Sequence, residues 1–207
     1  SQLMNIAIIG SGHIGGTLAQ GWARAGHTIR FGVRDLNHFK GKALLDLPRI
    51  SAAPIADAVA ASEVILVAAT PSATREIAGA LGDVSGKIIL DAMNSVREKA
   101  GEFASTSEAL RAWTCGADVV KCFNSTGWEN MADPDYGGTG VDMFMAGSSA
   151  SGKAVARQLA LDLGFAECYD FGGDDKIPLL ESFALVWINL ALVQGQGRGT
   201  AFKILKR

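Results

Sequence analysis

The feature that most constrains the fold is a glycine pattern near the amino terminus. Glycines with the spacing Gly-x-Gly-x-x-Gly stand at Gly10, Gly12 and Gly15. They follow the apolar stretch Asn5–Ile9 and precede residues 13–25, which have helical periodicity. The first glycine permits a tight turn, the second lets a phosphate approach the backbone, and the third lets the helix pack closely on the strand. In this context the pattern predicts a dinucleotide-binding βαβ unit.

The rest of the chain alternates apolar, strand-like runs with helical stretches. Further strands are predicted at residues 28–31, 63–69, 87–90, 119–123, 143–146 and 166–169, with helices near 57–61, 70–81, 109–113 and 153–163. This alternation predicts an α/β fold, a doubly wound parallel sheet of the Rossmann type with helices on both faces. We expect one NAD(P)-binding domain over residues 1–207, with residues 174–207 as a C-terminal helical extension and tail.

Composition excludes several classes of partner. The net charge of -2 offers no basic surface for nucleic acid or an anionic membrane. Three cysteines without a CxxC pair indicate reduced thiols and a cytoplasmic protein, and the histidine spacing predicts no metal site. The apolar run 177–193 contains Glu181 and Asn189 and is about one residue short of a usual membrane span, so a buried helix is expected.

The end of the second predicted strand indicates which dinucleotide binds. NAD-selective domains usually carry an acidic residue there, which binds the ribose hydroxyls. In this chain Gly32 and Val33 are followed by Arg34, whose planar guanidinium suits a 2′-phosphate. NADP is therefore favoured over NAD. The alternative is that Arg34 is a solvated surface charge and that Asp35 binds the ribose.

Two more loops should reach the same edge of the sheet. Thr70, Pro71 and Asn94 each follow a predicted strand, and ligands bind open α/β sheets at the carboxyl ends of the strands. We expect backbone groups in these loops to line the cofactor. For Asn94, capping of a turn is an equally good interpretation.

Taken together, the motifs resemble a known family. The stretches that carry the resemblance are GSGHIGGTLAQGWARAGH, VRD, VILVAATP, VVKCFNSTGWENMADP, DMFMAGSSASGKAVARQLALDLGF and LLESFALVWINLALVQGQGRGTAFKILKR. They are similar to the NADP-dependent oxidoreductases that act on the deazaflavin coenzyme, and to dinucleotide-binding domains of membrane ferric reductases. The resemblance covers nearly the whole chain and implies hydride transfer between NADP and a flavin- or deazaflavin-like acceptor.

The resemblance also implies site residues. In the family the phosphate loop and the arginine for the 2′-phosphate match Ser11, His13, Ile14 and Arg34. The stretch along the ribose and nicotinamide matches Ala69, Thr70 and Pro71. The strand end beside the acceptor matches Phe123, Asn124, Ser125 and Thr126. Two positions depart from the pattern: Asn124 replaces a frequent histidine, which leaves the acceptor open, and Val33 replaces a frequent serine.

The sequence indicates no catalytic acid–base pair, nucleophilic triad or metal cluster. That agrees with hydride transfer, because the cofactor carries the reactive hydride and the protein binds, orients and excludes water. A planar acceptor needs an apolar slot, for which Phe123, Trp128 and Met131 are candidates beside Asn124. Ordinary packing is the alternative for these side chains.

Two other functions stay open. A β-hydroxyacid dehydrogenase would need a long helical second domain with a catalytic lysine. Here about one helix follows the sheet, and Lys121 lies in a strand pattern where an edge or surface position is expected. An NADP-binding redox sensor without turnover is the second alternative.

The C-terminal helix predicts the assembly. Its residues 177–193 are apolar on nearly every face, and the sheet can cover only one side. A second copy would cover the other side, since a large exposed apolar patch is unusual on a monomer. We expect a homodimer through this helix; the alternative is a helix wholly buried in one subunit.

Overall fold

The computed structural model describes residues 2–96 and 98–207. The strands are β1 Asn5–Ile9, β2 Thr28–Val33, β3 Ile50–Pro54, β4 Val64–Val67, β5 Ile88–Asp91, β6 Asp118–Cys122, β7 Asp135–Tyr136, β8 Thr139–Gly140, β9 Asp142–Ala146 and β10 Glu167–Asp170. The helices are α1 His13–Arg24, α2 Ile55–Ala60, α3 Thr74–Ala80, α4 Thr106–Trp113, α5 Trp128–Ala132, α6 Ala150–Leu163 and α7 Ile177–Ile188. A π-helical turn, Asn189–Val193, continues α7.

Eight strands form the main sheet in the order β10-β9-β6-β5-β4-β1-β2-β3. From β1 the strands follow in chain order toward one edge through β2 and β3, and toward the other through β4, β5 and β6. The predicted doubly wound fold is therefore confirmed. Contrary to the all-parallel expectation, β9 and β10 run opposite to the other strands, because β9 pairs antiparallel with β6. The connection from β6 to β9 holds only the short α5 and the β7–β8 hairpin, so no long helix carries the chain back across the sheet.

The sheet is buried on both faces. Successive residues of β1 alternate sides: Ile6 and Ile8 join the apolar cluster under α1 and α6, whereas Ala7 and Ile9 join the cluster under α2, α3 and α4. Every residue of β4 is buried. Such continuous apolar strands are typical of parallel sheets covered by helices on both sides.

The sequence analysis missed β3, α5 and the β7–β8 hairpin. β3 reads ISAAP, which has weak strand propensity and ends in proline, and it forms only because it can pair with β2 at the sheet edge. The hairpin occupies a glycine-rich stretch, and its Tyr136 hydroxyl donates to the Gly199 carbonyl at 2.7 Å. Long-range pairing decides these elements.

The C-terminal segment covers the strands at the β9 side of the sheet. Ile177 and Leu180 of α7 pack with Phe144 of β9, and the tail returns so that the Phe202 carbonyl accepts from the Asp142 N–H at 3.0 Å. The other side of the helix is open: Leu179 is 57% exposed and Val193 is 69% exposed. The wholly buried helix is therefore ruled out.

One helix among the described residues, Asp174–Val193, is long and apolar enough to cross a membrane when judged by length and composition alone. Its 20 residues have a mean hydropathy of 1.6 in the most apolar window, a third of which is buried against the rest of the protein. The sequence-based expectation of a buried helix thus holds for one face.

Candidate cofactor and acceptor site

The glycine turn after β1 is fixed by close backbone packing. Gly10 has φ +105°, and a Cβ there would lie 2.4 Å from the Ala68 carbonyl oxygen. A Cβ on Gly15 would lie 1.9 Å from the Gly10 oxygen. Around Gly12, by contrast, no atom of the described residues lies within 4 Å of a built Cβ. Gly10 and Gly15 are thus required by the fold, and Gly12 keeps space open.

That space belongs to a groove of about 670 Å³ along the carboxyl edge of the sheet, which we call the cofactor groove. Among the predicted cofactor residues it is lined by Gly10, Ser11, Gly12, His13, Ile14, Arg34, Ala69 and Thr70. Gly15 packs behind the loop, Pro71 does not line the groove, and Asn94 lines a different cavity. Within the described chain no side chain caps the first turn of α1, so its N–H groups and the helix dipole are available to a phosphate.

The residues after β2 lie at one end of the groove. Arg34 is 70% exposed on its side chain and forms an ion pair with Glu76 of α3 at 2.6 Å. The carboxylate of Asp35 accepts from the backbone N–H of Asn37 and interacts with His38, and these hydrogen bonds lower the pKa of Asp35. Both Arg34 and Asp35 face the groove, so their competing roles toward the ribose stay predictions.

A second cavity of about 160 Å³ adjoins the groove. Its lining comes from four distant parts of the chain: Ile14, Asn94, Asn124, Thr126, Gly127, Trp128, Ala184, Trp187, Ile188 and Arg198. Ile14 lines both spaces and forms the boundary between them. The indole of Trp128 stacks on the ring of His13 with 4.7 Å between centroids, which ties α5 to the phosphate loop.

The strand end at β6 is strained. Phe123 has φ +68° although it carries a bulky side chain, a conformation that costs about 1–3 kcal/mol and clusters at functional sites. The turn sends the Phe123 ring into the core, edge-on to Trp22 at 5.4 Å, and leaves Asn124 and Thr126 at the cavity.

The predicted acceptor slot therefore needs correction. Phe123 and Met131 are core side chains that do not line the second cavity, and the Ser125 hydroxyl faces the Met143 sulfur at 3.5 Å. Periodicity could not show this, because one left-handed residue after β6 reverses which side chains point inward. Trp128 does lie beside Asn124, and Trp187 of α7 supplies the second aromatic side chain.

Sequence reasoning missed the contribution of the C-terminal loop. Arg198 donates to both carboxylate oxygens of Glu129, at 2.6 and 3.2 Å, and lies over the Trp187 ring at 5.5 Å. The hydrogen bonds from Arg198 lower the pKa of Glu129. The indole N–H of Trp187 donates to the Thr200 carbonyl at 2.6 Å. In the sequence, the only sign of this contribution is that Arg198 stands in a glycine-rich stretch.

A buried ionic cluster joins β5, β6 and α7. The Lys121 ammonium, fully buried, lies 2.8 Å from Asp91 and 2.7 Å from Glu181. It also donates to the Met93 carbonyl at 2.7 Å and the Thr106 hydroxyl at 2.9 Å. The expected edge or surface position of Lys121 is wrong, because β6 lies between β5 and β9 and is not an edge strand. Glu181 has the polar partner that its place on an apolar helix requires.

Comparison with known proteins agrees with this geometry. Residues 5–95 match the model of a family described as NADP oxidoreductase, coenzyme F420-dependent. The resemblance is confirmed, and with it the class of enzyme: an NADP-dependent oxidoreductase.

Solved structures extend the likeness over the whole chain. A protein from Arthrobacter sp. FB24, provisionally described as an F420-dependent NADP reductase, has 27% identity and a TM-score of 0.82, over 98% of this chain and 100% of that chain. A hypothetical protein from Sinorhizobium meliloti, SMa0349, has 24% identity and a TM-score of 0.72, over 99% and 97%.

A more distant neighbour is a reductive aminase from Aspergillus terreus in complex with NADPH and ethyl-5-oxohexanoate. It has 21% identity and a TM-score of 0.71, over 94% of this chain and 64% of that chain, which is a likeness of fold. The search among curated proteins returned no match.

Proposed function

We propose that this NADP oxidoreductase transfers a hydride between NADPH and a flat flavin- or deazaflavin-like acceptor. The observation that carries the proposal is the junction of two cavities at Ile14. One has a volume of about 670 Å³ and begins at a glycine loop, and the other has a volume of about 160 Å³ and is lined by Trp128 and Trp187. A ring that enters the second cavity meets the cofactor groove at Ile14.

The residues present fit a dinucleotide. The open space at Gly12, which a Cβ would fill, and the uncapped start of α1 suit a pyrophosphate. Arg34 holds the 2′-phosphate by exchanging its present partner Glu76. Bound NADPH supplies the hydride. The protein's own side chains orient the two ligands at Ile14, and the tryptophans exclude water from the space between them.

A panel of acceptors tests the proposal. NADPH oxidation is followed by absorbance with a deazaflavin, FMN, FAD, riboflavin and a cyclic imine, with Gly12→Leu as the matched variant lacking phosphate space. We expect turnover with a deazaflavin or flavin in the native protein and none in the variant. Turnover with the imine alone would assign a different small substrate. Tight NADPH binding without turnover would instead favour the redox sensor.

We propose further that the enzyme is a homodimer built on α7. Leu179, Val186 and Val193 recur at every seventh residue and are all exposed, which makes one apolar stripe along the helix. Leu185 and Leu192 widen the stripe. A stripe of this period suits packing against another helix, and a second copy presents the same self-complementary surface.

Light scattering decides the assembly. The chain mass is 21.6 kDa, and we expect twice that mass for the native protein. Val186→Asp should return the monomer, because it places a charge in the stripe without touching the second cavity, which Trp187→Asp would disrupt. Leu47→Asp, an equally exposed leucine elsewhere, should keep the dimer. A native mass near 21.6 kDa would end the proposal.

A cytoplasmic location also stays a proposal. It rests on the odd number of thiols and on the sulfur atoms of Cys122 and Cys168, which are 3.9 Å apart and not joined by a disulfide. Burial raises the pKa of Cys122 well above its ordinary value. Thiol counting after rapid alkylation of denatured protein from the host should find three free thiols; a disulfide in freshly extracted protein would contradict a reducing compartment.

A further inference from the structure

A pair of asparagines at the second cavity has its amide groups oriented by a chain of hydrogen bonds. The Asn94 amide faces the backbone carbonyl of Asn124 at 3.1 Å, so the facing atom must be its donor, Nδ2. The Asn94 Oδ1 then faces Asn124 at 2.9 Å, which assigns Nδ2 of Asn124 to that contact. The Leu180 carbonyl, 3.4 Å from the same atom, requires the same orientation.

With this orientation of the two amides, one buried side-chain oxygen remains unpaired. The Asn124 Oδ1 has no hydrogen-bond partner among the described residues, although Asn124 is only 5% exposed and lines the second cavity. A buried carbonyl oxygen without a donor is costly, and such groups are rare in folded proteins. The orphaned oxygen therefore indicates a ligand that brings a donor.

A second observation supports this interpretation independently. Phe123, one residue earlier, has a left-handed backbone conformation, and its ring packs in the core while Asn124 lines the cavity. Strain of this kind persists where the surroundings over-determine it and is concentrated at binding sites. The chain thus accepts backbone strain at Phe123 and an unpaired oxygen at the next residue, Asn124, which lines the cavity.

We propose that Asn124 Oδ1 is a specificity-determining acceptor for a ring ligand that carries an amide or imide N–H. The inference rests on the proposed function and deepens it. Two ligands of the reaction offer this chemistry: the carboxamide of the nicotinamide, and the imide N–H of a flavin- or deazaflavin-like acceptor. An acceptor ring without such a donor leaves the oxygen unpaired and is rejected.

The test combines a change in the ligand with a substitution at Asn124. In the acceptor arm, kcat/KM is compared for a flavin and for its N3-methyl derivative, in the native protein and in Asn124→Leu. In the cofactor arm, Kd is compared for NADPH and for its acetylpyridine analogue, in which a methyl group replaces the amide nitrogen. Leucine matches asparagine in size, so steric rejection of a methyl group would persist in the variant.

We expect a preference of about tenfold for the N–H ligand in one arm, reduced to within about threefold by Asn124→Leu. Thr126→Val is the matched control. Its hydroxyl lies in the same cavity but is already bonded to the Thr200 carbonyl and the Asn130 amide, so the preference should survive. The arm in which the preference collapses identifies the ligand.

A preference that is absent in both arms, or unaltered by Asn124→Leu, overturns the inference. Failure of the proposed function looks different: no flat acceptor oxidises NADPH at all. In that case the Kd comparisons for the cofactor and for the flavin pair, read from quenching of tryptophan fluorescence, still test Asn124.

Discussion

The cofactor groove and the second cavity share the carboxyl edge of one sheet, but they are built in different ways. The groove begins in consecutive residues, 10–14, and its shape depends on backbone conformation and on the absence of a side chain at Gly12. The second cavity is assembled from side chains as far apart in sequence as Ile14 and Arg198. A local pattern encodes the first, and tertiary packing makes the second.

The difference has an energetic counterpart. The groove takes its phosphate loop from the turn between β1 and α1, and the rest of its lining from the segments that follow β2 and β4. The cavity is lined by α7 and by the segments that follow β5 and β6, and the buried cluster of Lys121, Asp91 and Glu181 joins these three elements. Substitutions of residues that face the groove should therefore affect binding with little effect on stability. Substitutions in the buried cluster should lower stability with little effect on binding.

The largest expected effect contrasts Gly12 with Gly15. Gly12→Leu should abolish NADPH binding in calorimetry while the melting temperature stays unchanged, because the added side chain enters only the phosphate space. Gly15→Ala should instead lower the melting temperature, because its Cβ would meet the Gly10 oxygen at 1.9 Å. Unchanged NADPH affinity in Gly12→Leu would refute the placement of the pyrophosphate.

The next effect tests the support of the cavity. Lys121→Met leaves Asp91 and Glu181 buried without their cation and should destabilise the fold by about 3–5 kcal/mol in urea unfolding. The matched control is Arg157→Met, which breaks the exposed pair with Glu167 at 2.7 Å and should cost below about 1 kcal/mol. Equal losses of stability for the two variants would show that the buried cluster contributes no more than an exposed ion pair.

A smaller effect concerns cofactor choice in the groove. Arg34→Ala should weaken NADPH by about 1.5–3 kcal/mol, the range for a hydrogen bond to a charged group, and leave NADH nearly unchanged. Calorimetric titration of both cofactors measures the difference. Equal weakening of the two would remove Arg34 from the 2′-phosphate and return the ribose to Asp35.

The smallest effect is a pH dependence at the cavity. Arg198 lowers the pKa of Glu129 in the folded state, so the pair stabilises the C-terminal loop above the unfolded pKa of the glutamate. That contribution is lost as the pH falls through the lower, folded value. For a half-exposed pair it amounts to about 0.2–1 kcal/mol.

Glu129→Gln, which cannot titrate, is the comparison for that measurement. Urea unfolding across the acidic range should show a stability difference between the native protein and this variant that shrinks as the pH falls. A constant difference would mean that the pair does not contribute through charge.

The sequence was sufficient for the parts whose physics is local. The glycine spacing between Asn5–Ile9 and the following helix specifies a turn that only glycine adopts, and the unbroken apolar run of β4 requires cover on both faces. The fold class and the residues of the phosphate loop follow from such rules. Predicted strands overlapped the observed ones, with ends displaced by one or two residues, because hydrogen bonding to neighbours sets where a strand ends.

Tertiary structure alone decided the second cavity. The resemblance implies Phe123 as an acceptor residue, but a left-handed backbone conformation accompanies a ring that lies in the core. Lys121, expected at an edge or at the surface, is buried because its strand β6 lies between β5 and β9. Trp187 and Arg198 join the cavity only because α7 and the tail fold back on the sheet. These outcomes depend on which distant segments meet, and no periodicity within one segment carries that information.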